Sequence, residues 1–431
     1  MELKKKEKIT RRVFLKRAGV IGGILGLIVG LNIVSFPQIS FSQTKEPIKI
    51  GGIFPLTGVY SDAAIYLQEA AILAVEEWND KGGVLGRKVE LITRDDKAKP
   101  DEAARRTKEL IEKEGVLLIL GSIGAHTQLA MNEQAKLAKK IFASTSSSNE
   151  ITQWPDVSPY TFHEAINADI VTNNLGQWVL KNFGKRWFFL TADYSFGWQI
   201  TEGYRKIGKK LGVQEVGEIK HPLGASDYFP YFSKIIAAKP DVLLINNGGK
   251  DMVTSMKQAY AFGLKKNMKI VYPVFSLPAR IGAGDDVAEG VYGGSTFVHE
   301  LAEKLPSAKR FVAAYSKRWG KPPNDFAGHS YSAMNEVLSA IQRAGTLDTK
   351  QIILKLEGHE YDHYKGKQWW VPWSHQSIQD FYIVRSKAGE EKKDKWDVFE
   401  LVEVIKASEK MDRTWKELGL KSDEPLSKML D

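Results

Sequence analysis

The chain has 431 residues, 43% of them hydrophobic and 26% charged, with a formal net charge of +9 and no cysteine. That length suggests two or three compact domains, and eleven Trp with an ordinary apolar fraction exclude a disordered polymer. The absence of cysteine excludes disulfide frameworks, thiolate metal sites, cysteine nucleophiles and a lipid-modified N-terminal Cys.

Most of the charge sits at the start. Residues 1–17 hold eight basic side chains against two acidic ones, six of the nine surplus positive charges. Ala18 to Val34 follow as an apolar run broken only by Asn32, short of the ~20 residues that a spanning helix needs. A basic head before a short apolar run is the layout of an export signal. The head reads Thr10-Arg11-Arg12-Val13-Phe14-Leu15-Lys16, which resembles the twin-arginine motif. Ser40-Phe41-Ser42 offers small residues for cleavage, so 1–42 is assigned as a twin-arginine signal peptide. The resemblance implies the twin-arginine export machinery as a partner and a periplasmic or extracytoplasmic destination. The alternative is an uncleaved N-terminal anchor. Residues 43–431 carry 53 basic and 50 acidic side chains, so the exported body offers nucleic acid no electrostatic attraction.

Beyond the signal, strands and helices alternate. Ile48–Phe54 is a short apolar run closed by Pro55-Leu56-Thr57-Gly58, and 61–80 shifts to helical spacing before Gly82-Gly83 stops it. A strand at 89–94, a helix at 100–113 begun by Pro100 and Asp101, a strand at 117–120, a helix at 126–140 and a strand at 141–143 complete a first series. A polar stretch with Pro159, 158–167, reads as a linker. The second series has helices at 168–183, 196–211, 227–238 and 250–262, with strands at 187–191, 213–220, 242–246 and 269–274. After 291–297 the pattern turns helical (307–319, 325–344, 348–357), then passes a Trp/Pro-rich segment at 369–373. Two strands, 378–384 and 398–404, flank a charged hairpin loop at 387–396. The tail from 407 reads as an exposed helix. Two such series predict an α/β protein of two doubly wound parallel-sheet lobes.

Gly51–Gly58, Ala74–Asn79 and Gly82–Arg87 resemble the opening of type I periplasmic solute-binding proteins, the Leu/Ile/Val-binding class that serves ABC importers. Ser158–Phe162, Phe188–Gly197, His221–Asp227 and Asp286–Gly293 extend the resemblance over about 47–405. It implies two lobes joined by a three-segment hinge, with ligand trapped as they close. Lobe one would take 47–163 and 295–368, lobe two 164–294 and 369–405, leaving 406–431 as a tail. It also implies a membrane permease as partner and a small-molecule ligand, either an organic acid or an amino acid.

In an open parallel sheet, ligands bind beyond the carboxyl ends of the strands, where helix N-termini favour anions. The loops at those places supply the candidate residues. They are Tyr60 and Asp62; Ser122 and His126; Ser146, Ser147 and Ser148; Tyr194 and Phe196; Asn246 and Asn247; and Phe275. Plainer roles stand beside these: Tyr60 and Asp62 as caps of the first helix, His126 as a capping or surface residue, the serines as a solvated turn, Tyr194 and Phe196 as core, and the asparagines as a turn. Trp369, Trp370 and Trp373 are expected at the lobe junction. Amino-acid binders of the family place a Tyr where this chain has Phe196 and an acid around Phe275-Ser276, and their usual serine falls at Ala125. A buried ammonium without a carboxylate costs several kcal/mol, which favours an organic acid with an aromatic body. Asp62 and Asp193 keep the amino-acid alternative open.

Enzyme signals are weak. No GxGxxG follows the first strand, no Walker pattern occurs and no Gly-x-Ser-x-Gly elbow is present, so no cofactor is expected. His359, His363 and His375 are the nearest approach to a metal cluster, without an acid at fixed spacing. An enzyme or ligand sensor on the same fold is the rival of another class.

Overall fold

A computed structural model of the protein describes residues 45–430; the signal assigned to 1–42 lies outside them. Among the described residues no helix is long and apolar enough to cross a membrane. The chain begins with Ile48–Phe54 (β1), Ser61–Asp80 (α1), Val89–Asp95 (β2), Pro100–Glu112 (α2), Leu118–Gly121 (β3), Ala125–Leu137 (α3), Ile141–Ser144 (β4) and Thr161–His163 (β5). These strands form one parallel sheet in the order β2-β1-β3-β4-β5.

Alternation along the strands explains why both sheet faces are covered. Ile50, Leu118, Leu120 and Ala143 join α1 in one core, while Ile53, Ile119 and Phe142 meet Ala103, Leu110 and Met131 from α2 and α3. Helix α1 ends where Gly83, at φ +79°, donates its N–H to the Trp78 carbonyl. A Cβ at Gly83 would lie 1.9 Å from the Arg87 carbonyl oxygen, so the turn requires glycine.

The second series runs through Ala168–Phe183 (α4), Arg186–Ala192 (β6), Ser195–Leu211 (α5), Gln214–His221 (β7), Phe229–Ala237 (α6), Val242–Asn246 (β8) and Gly249–Ala261 (α7). It continues with Lys269–Tyr272 (β9), Leu277–Ala283 (α8), Asp285–Ala288 (α9) and Tyr292–Ser295 (β10). The chain then returns to the first lobe with Pro306–Trp319 (α10), Asp325–Ala344 (α11) and Thr349–Leu356 (α12). Helix α11 is tied to α1 by Trp78 Nε1–H donating to Asn335 Oδ1 at 3.0 Å and Ser330 Oγ donating to the Leu67 carbonyl at 2.7 Å. Glu360–Tyr361 (β11), Gln368–Trp370 (β12) and Ser377–Ile378 (β13) form a small antiparallel sheet. Phe381–Ser386 (β14) and Phe399–Ile405 (β15) complete the second large sheet, ordered β15-β14-β10-β9-β8-β6-β7. Strand β14 is antiparallel to β10, and β15 is antiparallel to β14, so β14 alone opposes the direction of the other strands. After β10 the chain leaves the second sheet for α10–α12 and the small sheet, then re-enters the second sheet at β14.

Four readings of the sequence need correction. The stretch 158–167 is no free linker: β5 inside it pairs with β4, and Thr161, Phe162 and His163 are buried. The strand expected at 378–384 is split between two sheets, at β13 and β14. Helices α8 and α9 were unread. The tail is not an exposed helix. Its regular structure is two 3-10 turns, Glu409–Met411 and Leu426–Met429, and it buries Met411, Leu418, Leu426 and Leu430.

Candidate functional site

The carboxyl ends of β1, β4, β6, β8, β9 and β10 converge on one cavity of about 700 Å³, its mouth included. The first lobe contributes Tyr60 and Ala63 from the start of α1, Ile123 from the turn before α3, and Ser146 and Ser147 after β4. The second lobe contributes Tyr194 and Phe196 at the start of α5, Asn247, Gly248, Gly249 and Met252 at α7, and Val274 and Ser276 after β9. Ala165 and Ile166 after β5, Ser295 and Thr296 at the end of β10, Asp325, Phe326 and His329 of α11, and Phe381 at the start of β14 complete the cavity. The lobes also touch each other directly. Tyr60 and Tyr194 share a hydroxyl–hydroxyl hydrogen bond, and the Lys250 N–H donates to the Val59 carbonyl at 3.0 Å. The Asn149 N–H donates to Gln199 Oε1 at 2.7 Å.

Four helices, α1, α5, α7 and α11, begin at the wall, so their unpaired N–H groups and dipoles make it mildly positive. Among the described residues, neither Lys nor Arg lines the cavity. Its side-chain polar groups differ in what they lack. Ser147 Oγ and Asn247 Oδ1 are buried without a partner, while the Asn247 amide is occupied with Ser255 Oγ at 3.2 Å. The Ser146 carbonyl is held from behind by Gln128 Nε2–H at 2.9 Å and His163 Nε2–H at 2.8 Å. Burial pushes both tyrosine hydroxyls well above their ordinary pKa, so each stays protonated.

Helix α11 brings two ionisable groups. Asn324 caps it by accepting the Ala327 N–H at 2.9 Å, which places Asp325 and His329 one turn apart on the cavity side. Burial pushes the Asp325 carboxyl up to about 7, against the opposing pull of the backbone N–H groups of Phe326 and Asp325 and the Lys365 charge. His329 donates from Nδ1 to the Thr145 carbonyl at 3.2 Å and accepts the Thr296 hydroxyl at Nε2, 2.8 Å; burial pushes it down to about 3. Lys365 lies behind the wall, its ammonium on the Thr296 carbonyl at 2.5 Å and the Asp380 carbonyl at 3.2 Å.

Six of the twelve residues singled out in the sequence line this cavity: Tyr60, Ser146, Ser147, Tyr194, Phe196 and Asn247. Tyr60 is the N-cap residue of α1 but makes no side-chain cap bond. The other six stand elsewhere. Asp62 is exposed in the first turn of α1. Ser122 donates to the buried Asp96 carboxylate. His126 contacts the Ala98 carbonyl through Nε2 and braces Tyr194 with its ring, 5.5 Å between centroids. Ser148 is buried outside the wall. Asn246 donates to Thr201 Oγ1 at 2.7 Å, and Phe275 packs in the core on Phe399. Phe275 misses because successive residues of extended chain face opposite ways, which puts Val274 and Ser276 on the wall instead. Asp325, Phe326 and His329 were missed, although Pro322-Pro323-Asn324 marked a helix start whose first turn deserved the strand-end loops' scrutiny.

The tryptophan and histidine groups lie apart from the cavity. Trp370 packs on Phe162 and Tyr361. His359 and His363 do have an acid between them, buried Glu336, at 2.9 and 3.1 Å, but Arg343 already pairs with it at 2.6 Å. Among the described residues no group of three His, Cys, Asp or Glu is placed to hold a metal ion.

Residues 47–392 match the family model described as periplasmic binding protein. A Leu/Ile/Val-binding protein homolog of Brucella abortus is 24% identical over 73% of this chain and 78% of its own. The crystal structure of a periplasmic binding protein from Burkholderia mallei superposes with a TM-score of 0.80 at 28% identity, covering 86% of this chain and 97% of that one. An ABC-transporter solute-binding protein from Rhodopseudomonas palustris, solved with 3,4-dihydroxy benzoic acid, gives a TM-score of 0.76 at 26% identity, with 84% and 98% covered.

Proposed function

Because the chain belongs to the periplasmic binding protein family, the solute-binding arm of ABC importers, we propose that its solute is a small organic acid with an aromatic body. The observation that carries this reading is the cavity wall. It is mostly apolar, carries the rings of Phe196, Phe326 and Phe381, and receives four helix N-termini together with the free Ser147 hydroxyl. Such a wall can hold a carboxylate by N–H and O–H donors without a lining cation. The relative solved with 3,4-dihydroxy benzoic acid supports the same reading.

Tyr60, Ser146, Ser147, Tyr194, Phe196 and Asn247 are the contacts we assign, and the two lobes, 47–163 with 295–368 and 164–294 with 369–405, close over the ligand. The closed form is what the permease would receive. No catalytic step is assigned to the cavity. Export by the twin-arginine route belongs to the same reading and rests on the residues of 1–42. A branched-chain or other amino acid is the second reading, and one observation favours it. Asp325 supplies the wall with the acid that an ammonium needs.

Thermal shift on the protein lacking 1–42 tests the proposal with amino acids, aromatic acids, aliphatic acids and amides. A ligand at 100 times its Kd should stabilise by about 2.7 kcal/mol. Aromatic acids are expected to raise the melting temperature; a response to amino acids alone would replace the first reading with the second.

A further inference from the structure

An organic acid in this cavity brings a second carboxyl beside that of Asp325. Asp325 lies on the wall at the start of α11, 2% exposed, and among the described residues neither Lys nor Arg stands on that wall. The charges that face Asp325 do not offset two anions. Lys365, behind the wall, spends its ammonium on the Thr296 and Asp380 carbonyls, and its field is shared with the Glu164 and Asp380 carboxyls. His329, one turn along α11, is neutral with both ring nitrogens engaged, and the buried Tyr364 hydroxyl stays protonated. Asp251, across the cleft on α7, is one more acid: it accepts the Gly224 N–H, and its charge reaches Tyr60 and Tyr194. Two carboxylates confined together without a lining cation do not both stay ionised.

We propose that Asp325 receives the ligand's carboxylate as a neutral carboxylic acid, so that the organic acid and one proton from solvent enter the cleft together. This rests on the organic-acid reading and adds the proton to it. A protonated carboxyl has one O–H to donate and keeps acceptor capacity, so Asp325 can hold the Phe326 N–H at the helix start while it donates to the ligand. An ionised Asp325 could only accept, as the ligand does. Burial has already brought this carboxyl up to about 7, so protonation near neutral pH asks little of the protein. Above pH 7 the empty protein must take up a proton in order to bind, and affinity for a carboxylate falls as pH rises. An ammonium ligand needs the ionised form, so its affinity rises over the same range.

The test measures Kd for benzoate, phenylacetate and leucine by calorimetry between pH 6.5 and 8.5 on the wild type, Asp325→Asn and Glu164→Gln. Unliganded melting temperatures check that each variant folds. The wild type is expected to bind its preferred acid about twentyfold more weakly at pH 8.5 than at pH 6.5, taking up about one proton at the upper end, as read from heats in two buffers of different ionisation enthalpy. Asp325→Asn keeps the acceptor and supplies an N–H donor without the charge, so its profile should be flat and its affinity at pH 8.5 no weaker than the wild type's. Glu164→Gln removes the other carboxyl near Lys365 and should keep the slope. A flat wild-type profile would overturn the inference and leave the organic-acid reading standing, and this measurement needs no variant. A slope that survives in Asp325→Asn, or is lost in Glu164→Gln, would place the proton elsewhere and overturn the inference too. Failure of both acids to bind would overturn the organic-acid reading itself, and leucine binding that tightens about fourfold as pH rises would put the amino-acid reading in its place.

Discussion

His329 has both ring nitrogens committed, one N–H to the Thr145 carbonyl and one lone pair to the Thr296 hydroxyl, so the folded protein offers no place for a second proton. Burial holds its pKa at about 3, whereas a histidine in the unfolded chain titrates near ~6.5. Below that value the unfolded state takes up a proton that the folded state refuses. Stability from this residue is therefore intact above pH ~6.5 and falls as pH drops toward 3. At pH 5 the loss is about 2 kcal/mol. Asp325 and Glu164, both pushed up to about 7 by burial, act in the opposite sense over the same window. A comparison with His329→Gln separates the two effects. The stability difference between wild type and variant, from urea unfolding, should shrink by about 2 kcal/mol between pH 7 and pH 5. A constant difference would mean that folded His329 accepts a proton after all. Nothing in the local sequence marks this histidine, because its two partners lie 184 and 33 residues away along the chain.

The start of helix α7 shows what an element adds to its residues. Gly249 sits at φ +59° with its Cα facing the other lobe; a Cβ there would lie 2.5 Å from the Val59 carbonyl and 2.9 Å from the Tyr60 ring. The same turn sends the Lys250 N–H to the Val59 carbonyl. Gly249→Val should hold the lobes apart, weakening ligand binding more than tenfold, with about 1–2 kcal/mol of left-handed backbone strain besides. Small-angle scattering should show no contraction on adding ligand, and contraction equal to the wild type's would refute the clash. The alternation of strand and helix was readable from period-two and period-3.6 spacing, and so was the place of the Ser144–Asn149 and Tyr194–Phe196 loops at strand ends. Elements too short for a period were not readable: three-residue β5, four-residue α9 and the split between β13 and β14. Within the loops, sequence could name the segment and not the side that each residue faces. Asn246 and Asn247 are neighbours, yet one belongs to the core and the other to the cavity.

At the scale of the whole molecule, the tail straps the junction of the lobes. Arg413, nearly buried, lies 3.1 Å from Asp169 at the start of α4 and donates to Gln153 at 2.6 Å and to the Asn149 carbonyl at 3.2 Å in the first lobe. The Trp154 N–H donates to the Leu418 carbonyl at 2.9 Å, and the Leu426 N–H to the Pro372 carbonyl at 2.9 Å. Removing one partner of a buried ion pair strands the other, so Arg413→Ala should cost about 3–5 kcal/mol in urea unfolding. A cost below 1 kcal/mol would show that the strap is incidental to the fold.

Spacing and composition alone determined that this is an α/β protein of two lobes, that its positive charge is concentrated ahead of the body, and which strand-end loops were candidates for the cleft. Those are local properties, set by which residues recur at two or at three to four positions and by where glycine and proline interrupt them. Only the tertiary structure decided that Asp325 and His329 belong to the cavity, that Phe275 and Ser122 do not, and that the tail is a strap rather than a free helix. Those outcomes depend on contacts between residues hundreds of positions apart. They also depend on the direction of single side chains, which changes with each step along extended backbone while the hydrophobic pattern of the segment stays the same.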